Sequence, residues 1–147
     1  MTAYALIFIV VVASSLPISA RPIESRNIHV IDGDTIRVNH SRPDVRLVGF
    51  NAPETRRAAC PAERELGDKA TRRVRDLVRA GSLSLEFVSC ACSPGTEGTR
   101  ACNYGRKCGV LKVRGRDVGE ILVAEGLAVP FVCGTSRCPP TPRPWCK

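Results

Sequence analysis

The chain has 147 residues, with 44% hydrophobic and 24% charged side chains, which fits one folded domain and excludes global disorder. Its 12 Gly and 11 Pro are too scattered for a collagen-like chain, and no internal repeat points to a solenoid. Lys and Arg total 22 against 14 Asp and Glu, so the formal charge of +8 favours polyanions such as nucleic acid or an anionic surface.

Residues 1–20 carry no charged side chain, and Ala3 to Ala13 form an unbroken apolar run. That run has the length of a signal-peptide core and is about half of what a spanning helix needs, roughly 20 residues. The expectation is a signal peptide over 1–20, cleaved after Ala20 or, alternatively, after Ser15. No Lys or Arg precedes the apolar run, which leaves an uncleaved anchor as the other outcome. A secreted or periplasmic location follows, with no stable membrane partner and a monomeric state.

In the mature chain, Ile28 to Ile31 and Thr35 to Val38 are β-prone runs around the turn residues Asp32, Gly33 and Asp34, which reads as a hairpin. Asn39 to Asp44 reads as a loop, and Val45 to Phe50 as a third strand that Pro53 ends. Glu63 to Arg79 is the main helix, because Leu66, Ala70, Val74, Leu77 and Val78 form one apolar stripe. Gly81 is placed to close it with a left-handed cap. Leu83 to Val88 and Val110 to Val113 are the fourth and fifth strands. Between them Ser89 to Asn103 is a loop rich in Gly and Cys. Asp117 caps a short second helix, with Glu120 in capping-box position, and Gly126 ends that helix. The order predicts an α+β domain over 21–132 built on a five-stranded OB-type β-barrel, followed by a Cys/Pro-rich extension over 133–147.

Eight cysteines, an even number in a chain read as exported, predict disulfides. A zinc site is disfavoured, because there is no CxxC pair and His29 and His40 lie far from the cysteine-rich half. Seven cysteines follow residue 89, so the bridges are expected to staple the C-terminal third. Spacing leaves their connectivity open.

Three groups of residues carry chemistry. Asp32 and Asp34 place two carboxylates on one turn, a pattern that holds a hard cation and also one common to ordinary turns. Arg46 to Glu54 puts a cation within a strand and a carboxylate at its exit. Tyr104, Gly105 and Arg106 put an arginine on a turn that enters a strand.

Taken together, the run Val30-Ile31-Asp32-Gly33-Asp34-Thr35, the run Arg46-Leu47-Val48-Gly49-Phe50-Asn51-Ala52-Pro53-Glu54-Thr55 and Tyr104-Gly105-Arg106 resemble the staphylococcal nuclease (thermonuclease) family. Gly119 to Ala128 is similar to that family's segment after the last barrel strand. The resemblance covers roughly Ile28 to Phe131 and implies an OB barrel that hydrolyses DNA and RNA with calcium, leaving 3′-phosphate ends. By that resemblance Arg46 and Arg106 are the catalytic arginines and Glu54 activates or orients the attacking water. Asp34 is a direct calcium ligand, Asp32 a neighbouring carboxylate of the metal site, and Ala52 a ligand through its carbonyl.

Two departures stand out. Asn51 occupies the place of a second ligating aspartate, so one negative charge is missing; calcium is expected to bind more weakly, or another divalent metal to be preferred. The family's aromatic residues that flank the nucleotide are not recognisable after Ala128, and Trp145 either stacks on a base or packs against a disulfide. The leading expectation is a sugar-nonspecific nuclease. One alternative is a non-catalytic barrel that binds nucleic acid or protein. Another is a small cysteine-rich domain whose basic face meets anionic surfaces.

Overall fold

The computed structural model describes residues 20–147. The signal-peptide reading therefore lies outside the described residues. The elements are β1 (Arg21–Ile23), β2 (Ile28–Asp32), β3 (Thr35–Val38), β4 (Ser41–Leu47), β5 (Gly49–Asn51), α1 (Pro61–Arg79), β6 (Leu83–Val88), β7 (Lys107–Val113), β8 (Arg116–Asp117), α2 (Val118–Ala124) and β9 (Val129–Phe131).

The domain is α+β, with two helices on a mixed sheet. The main sheet runs β1-β6-β7-β4-β3-β2, and β8 pairs with β7. All its ladders are antiparallel except β4 with β7, which is parallel. Among the described residues no ladder joins the outer strands β1 and β2, so the hydrogen bonding describes an open sheet rather than the closed five-stranded barrel expected.

The predicted hairpin is present, with Asp32 opposite Thr35 across a two-residue turn. Gly33 serves packing there: a Cβ on it would lie 2.6 Å from the Ala52 Cβ and 3.1 Å from the Ala70 Cβ. The turn is thereby pressed against both α1 and the segment that leads to Glu54.

The single strand expected over Val45 to Phe50 divides. Gly49 takes φ of +93°, a left-handed conformation that glycine adopts without a Cβ penalty. The chain turns there and leaves the main sheet, and β5 pairs with β9 as a separate ribbon.

Helix α1 begins two residues before the expected start, with Pro61 in its first turn, where a missing N–H costs nothing. Its stripe of Ala70, Val74, Leu77 and Val78 packs into a core with Ile36, Val45, Leu47, Leu111 and Leu122. Gly81 does not form a left-handed cap; Ala80 closes the helix in right-handed geometry, and Gly81 instead leaves room for the side chain of Arg114. Asp117 caps α2 as expected, its side chain accepting from the Gly119 N–H at 2.6 Å. Gly126, with φ of +70°, ends that turn.

All eight cysteines are bridged: Cys60–Cys146, Cys90–Cys108, Cys92–Cys102 and Cys133–Cys138. Three bridges lie in the cysteine-rich half as expected. Cys60–Cys146 does not, for it ties the end of the chain to the start of α1. No helix among the described residues is long and apolar enough to cross a membrane.

Candidate active site

The site forms where the β2–β3 turn, the end of β4, the segment after β5 and the start of β7 converge. Asp34 is buried on the turn. Its Oδ1 accepts from the Thr35 hydroxyl at 3.1 Å, and its Oδ2 accepts from the Ala52 N–H at 2.9 Å. Asp32 folds back to accept the Asp34 N–H at 3.1 Å. Burial is the main cause that pushes the Asp34 carboxyl up to about 6, and the Asp32 charge adds to it. Arg46, the Ala52 amide and Thr35 pull in the other direction and are outweighed.

Arg46 lies directly across the ladder from Thr35. Its guanidinium meets Asp34 at 2.6 Å and donates to the carbonyls of Leu47 and Phe50 and to Asn51 Oδ1, the last at 2.9 Å. So many partners fix the planar group in one orientation.

Arg106 enters from the opposite side. Residues 103–105 all have positive φ, a tight reversal that starts β7 and aims the side chain back at the turn. The Arg106 guanidinium donates to Asn103 Oδ1 at 2.7 Å and to the Thr35 hydroxyl at 3.3 Å. Burial holds its pKa below the usual guanidinium range, and the Arg46 charge lowers it further, against the opposing charges of Asp34, Asp32 and Glu54. Those five charged groups therefore occupy one electrostatic neighbourhood. The Tyr104 ring stands beside Arg106, 5.8 Å from its guanidinium carbon, and is largely exposed.

Glu54 is exposed at the lip of the site. Its backbone is held from below: a Cβ at Gly67 of α1 would lie 2.7 Å from the carbonyl oxygens of both Pro53 and Glu54. Glu63, one turn earlier on α1, has its side chain fully buried. It accepts from the Ala59 N–H at 2.7 Å and from the Glu54 N–H at 3.4 Å. Arg143 of the C-terminal segment pairs with it at 2.8 Å and also donates to the Arg57 carbonyl. Asn51 Nδ2 donates to the Pro142 carbonyl at 3.0 Å. With Cys60–Cys146, these contacts form a clasp that folds the chain end over the loop carrying Glu54.

Burial alone would raise the Glu63 carboxyl. The hydrogen bonds from Arg143, Ala59 and Glu54 win and leave it below its ordinary value. Sequence reasoning missed Glu63, Arg143 and Asn103. The signal for Glu63 was a carboxylate on the buried stripe, four residues before Gly67 and seven before Ala70.

Asp32, Asp34, Asn51 and the Ala52 carbonyl offer only oxygen donors, which is the chemistry of a hard divalent cation. The set contains two carboxylates, and among the described residues no three His, Cys, Asp or Glu groups gather as a metal cluster. Asn51 Oδ1 already accepts from Arg46. The donors fit such a cation, with less anionic charge to hold it than a third carboxylate would supply.

The profile of the family described as staphylococcal nuclease homologues matches residues 44–138, well over half of the chain. The chain belongs to the staphylococcal nuclease homologue family. The match runs from Asp44 through Arg46, Glu54 and Arg106 to Cys138, past the end of β9. Relatives of this chain include two proteins of Bacillus subtilis (strain 168). Endonuclease YncB is 37% identical over 100 residues, which cover 67% of this chain and 43% of the relative. The SPbeta prophage-derived endonuclease YokF is 36% identical over 100 residues, covering 67% of this chain and 31% of the relative. The chain thus spans less than half the length of either endonuclease.

Proposed function

We propose that this protein is a sugar-nonspecific endonuclease that hydrolyses phosphodiester bonds of DNA and RNA. The observation that carries the reading is the convergence of Arg46, Arg106 and Glu54 around the Asp32–Asp34 turn, within a domain related to two endonucleases. Glu54 takes the proton of a water as its oxygen attacks phosphorus. The bond to the 5′ oxygen breaks, that oxygen collects a proton from solvent, and a 3′-phosphate end remains. Negative charge grows on the non-bridging oxygens as the bond forms, and Arg46 and Arg106 donate to them. Because both guanidiniums are already held by protein partners, little reorganisation is needed when that charge appears. Asp32, Asp34, Asn51 and Ala52 would hold a divalent cation, calcium or a close substitute, which supplies Lewis-acid neutralisation of the phosphate.

A second reading has its own support. Asn51 has both ends engaged, to Arg46 and to Pro142, in a place where the cation needs a donor. That favours a domain that binds nucleic acid without cutting it.

Single-turnover rates of Arg46→Ala and Arg106→Ala separate the two. The nuclease reading expects each to fall about 10²- to 10³-fold, as loss of one transition-state donor does, with the far-ultraviolet circular dichroism unchanged. Parental rates in both variants would refute the assigned roles.

A further inference from the structure

Two hollows open along the segment that follows Glu54, and they share Ile31, Arg56 and Arg75 as walls. The first, of about 420 Å³, also takes in His29, Arg37, Arg42 and Asp44. The second, of about 330 Å³, takes in Arg64, Asp68, Thr71 and Arg72. Together they make one trough between the outer face of α1 and strands β2 to β4.

Arg64, Asp68, Arg72 and Arg75 recur at helical spacing, so they line the trough as one stripe of α1. Arg42, Arg56, Arg64, Arg72 and Arg75 are all exposed. Asp44 is committed to Arg37 at 2.7 Å. Among the described residues, Arg56, Arg64, Arg72 and Arg75 form no ion pair, and these four guanidiniums outnumber Asp68, the carboxylate that lines the second hollow with them.

The trough also adjoins the chemistry. Thr55 and Arg56 follow Glu54 directly. Arg37 lies two residues after Thr35 on β3 and Asp44 two residues before Arg46 on β4, and the two pair with each other, so the first hollow begins next to the Thr35–Arg46 rung. The Arg106 charge reaches Asp44.

We propose that this trough binds the phosphate backbone of a single nucleic-acid strand beyond the bond being cut, and so selects polynucleotides over short fragments. The inference rests on the nuclease reading for where the scissile phosphate sits. A strand suits the place better than a membrane does. The surface is concave, and the exposed large apolar side chains of the described residues, Phe87, Tyr104 and Val132, lie outside it.

The test compares the parent with Arg72→Ala/Arg75→Ala in the full oxidised chain. A labelled 20-nucleotide DNA strand is titrated by fluorescence anisotropy in chelator, over a series of salt concentrations. The slope of log Kd against log salt is expected to flatten by about 1.4, roughly 0.7 for each lost phosphate contact. With a divalent cation present, the ratio of kcat/KM on the 20-mer to that on a dinucleotide is expected to fall at least tenfold. Arg100→Ala/Arg137→Ala, an equal charge loss outside the trough, keeps the parental ratio. Parental slope and ratio in the trough variant would overturn the proposal. So would weakened binding to phosphatidylglycerol vesicles with strand binding intact. Flattened binding in a protein that cuts neither substrate would support the trough and contradict the nuclease reading.

Discussion

At the scale of single residues, Gly67 decides where Glu54 sits. Any side chain there meets two carbonyl oxygens 2.7 Å away, so the loop must lift from the helix. Gly67→Ala is expected to lose about 1–3 kcal/mol, the usual cost of overpacking, and to lower kcat more than it raises KM. Thermal melts and steady-state kinetics read both effects. Asn51→Asp tests the other shared residue. It restores a carboxylate to the oxygen donors and removes the amide donor to Pro142. Calorimetry is expected to show tighter calcium binding, and proteolysis a looser chain end. An unchanged calcium affinity would move the cation away from these donors. The runs that hold Arg46, Glu54 and Arg106 stood out in the sequence through their resemblance to family motifs, and the fold brings those runs together around one turn. Glu63 did not, because its meaning depends on Arg143, which only the fold brings to it.

At the scale of elements, the clasp joins the start of α1 to the end of the chain. Cys60 and Cys146 are 86 residues apart, a loop whose closure is worth about 4–5 kcal/mol on chain-entropy grounds. Cys60→Ser/Cys146→Ser is therefore expected to lower the urea midpoint markedly and to slow cleavage, while the sheet signal in circular dichroism persists at low urea. The Glu63–Arg143 pair adds a pH signature. The folded carboxyl lies below its ordinary value, so its stabilisation is present above the unfolded pKa, about 4.3, and is lost as pH falls through the folded value. The difference in Tm between parent and Glu63→Gln is expected to be widest near neutral pH and to shrink below about pH 4. An equal difference at pH 7 and pH 3 would show that the pair is not the clasp's ionic lock. Helix α1 could be read from its stripe because periodicity is a local property. The β5–β9 ribbon could not, since it depends on a left-handed Gly49 and on a partner strand nearly 80 residues away.

At the scale of the whole molecule, four disulfides fit an oxidising compartment, and the surplus of arginine fits a polyanionic substrate. The family could be inferred because several motifs occur in a consistent order along the chain. Closure of the sheet could not, because it depends on hydrogen bonds between edge strands that no local pattern encodes. If the charged groups around the Asp32–Asp34 turn cut phosphodiesters with Glu54 as the base, three incubations of the full oxidised chain with single-stranded DNA will differ: one with calcium, one with a chelator, and one with calcium and the Glu54→Gln protein. Cleavage in the first sample alone is the predicted result. Equal cleavage by Glu54→Gln, or salt-sensitive binding with no cleavage in any sample, would contradict it.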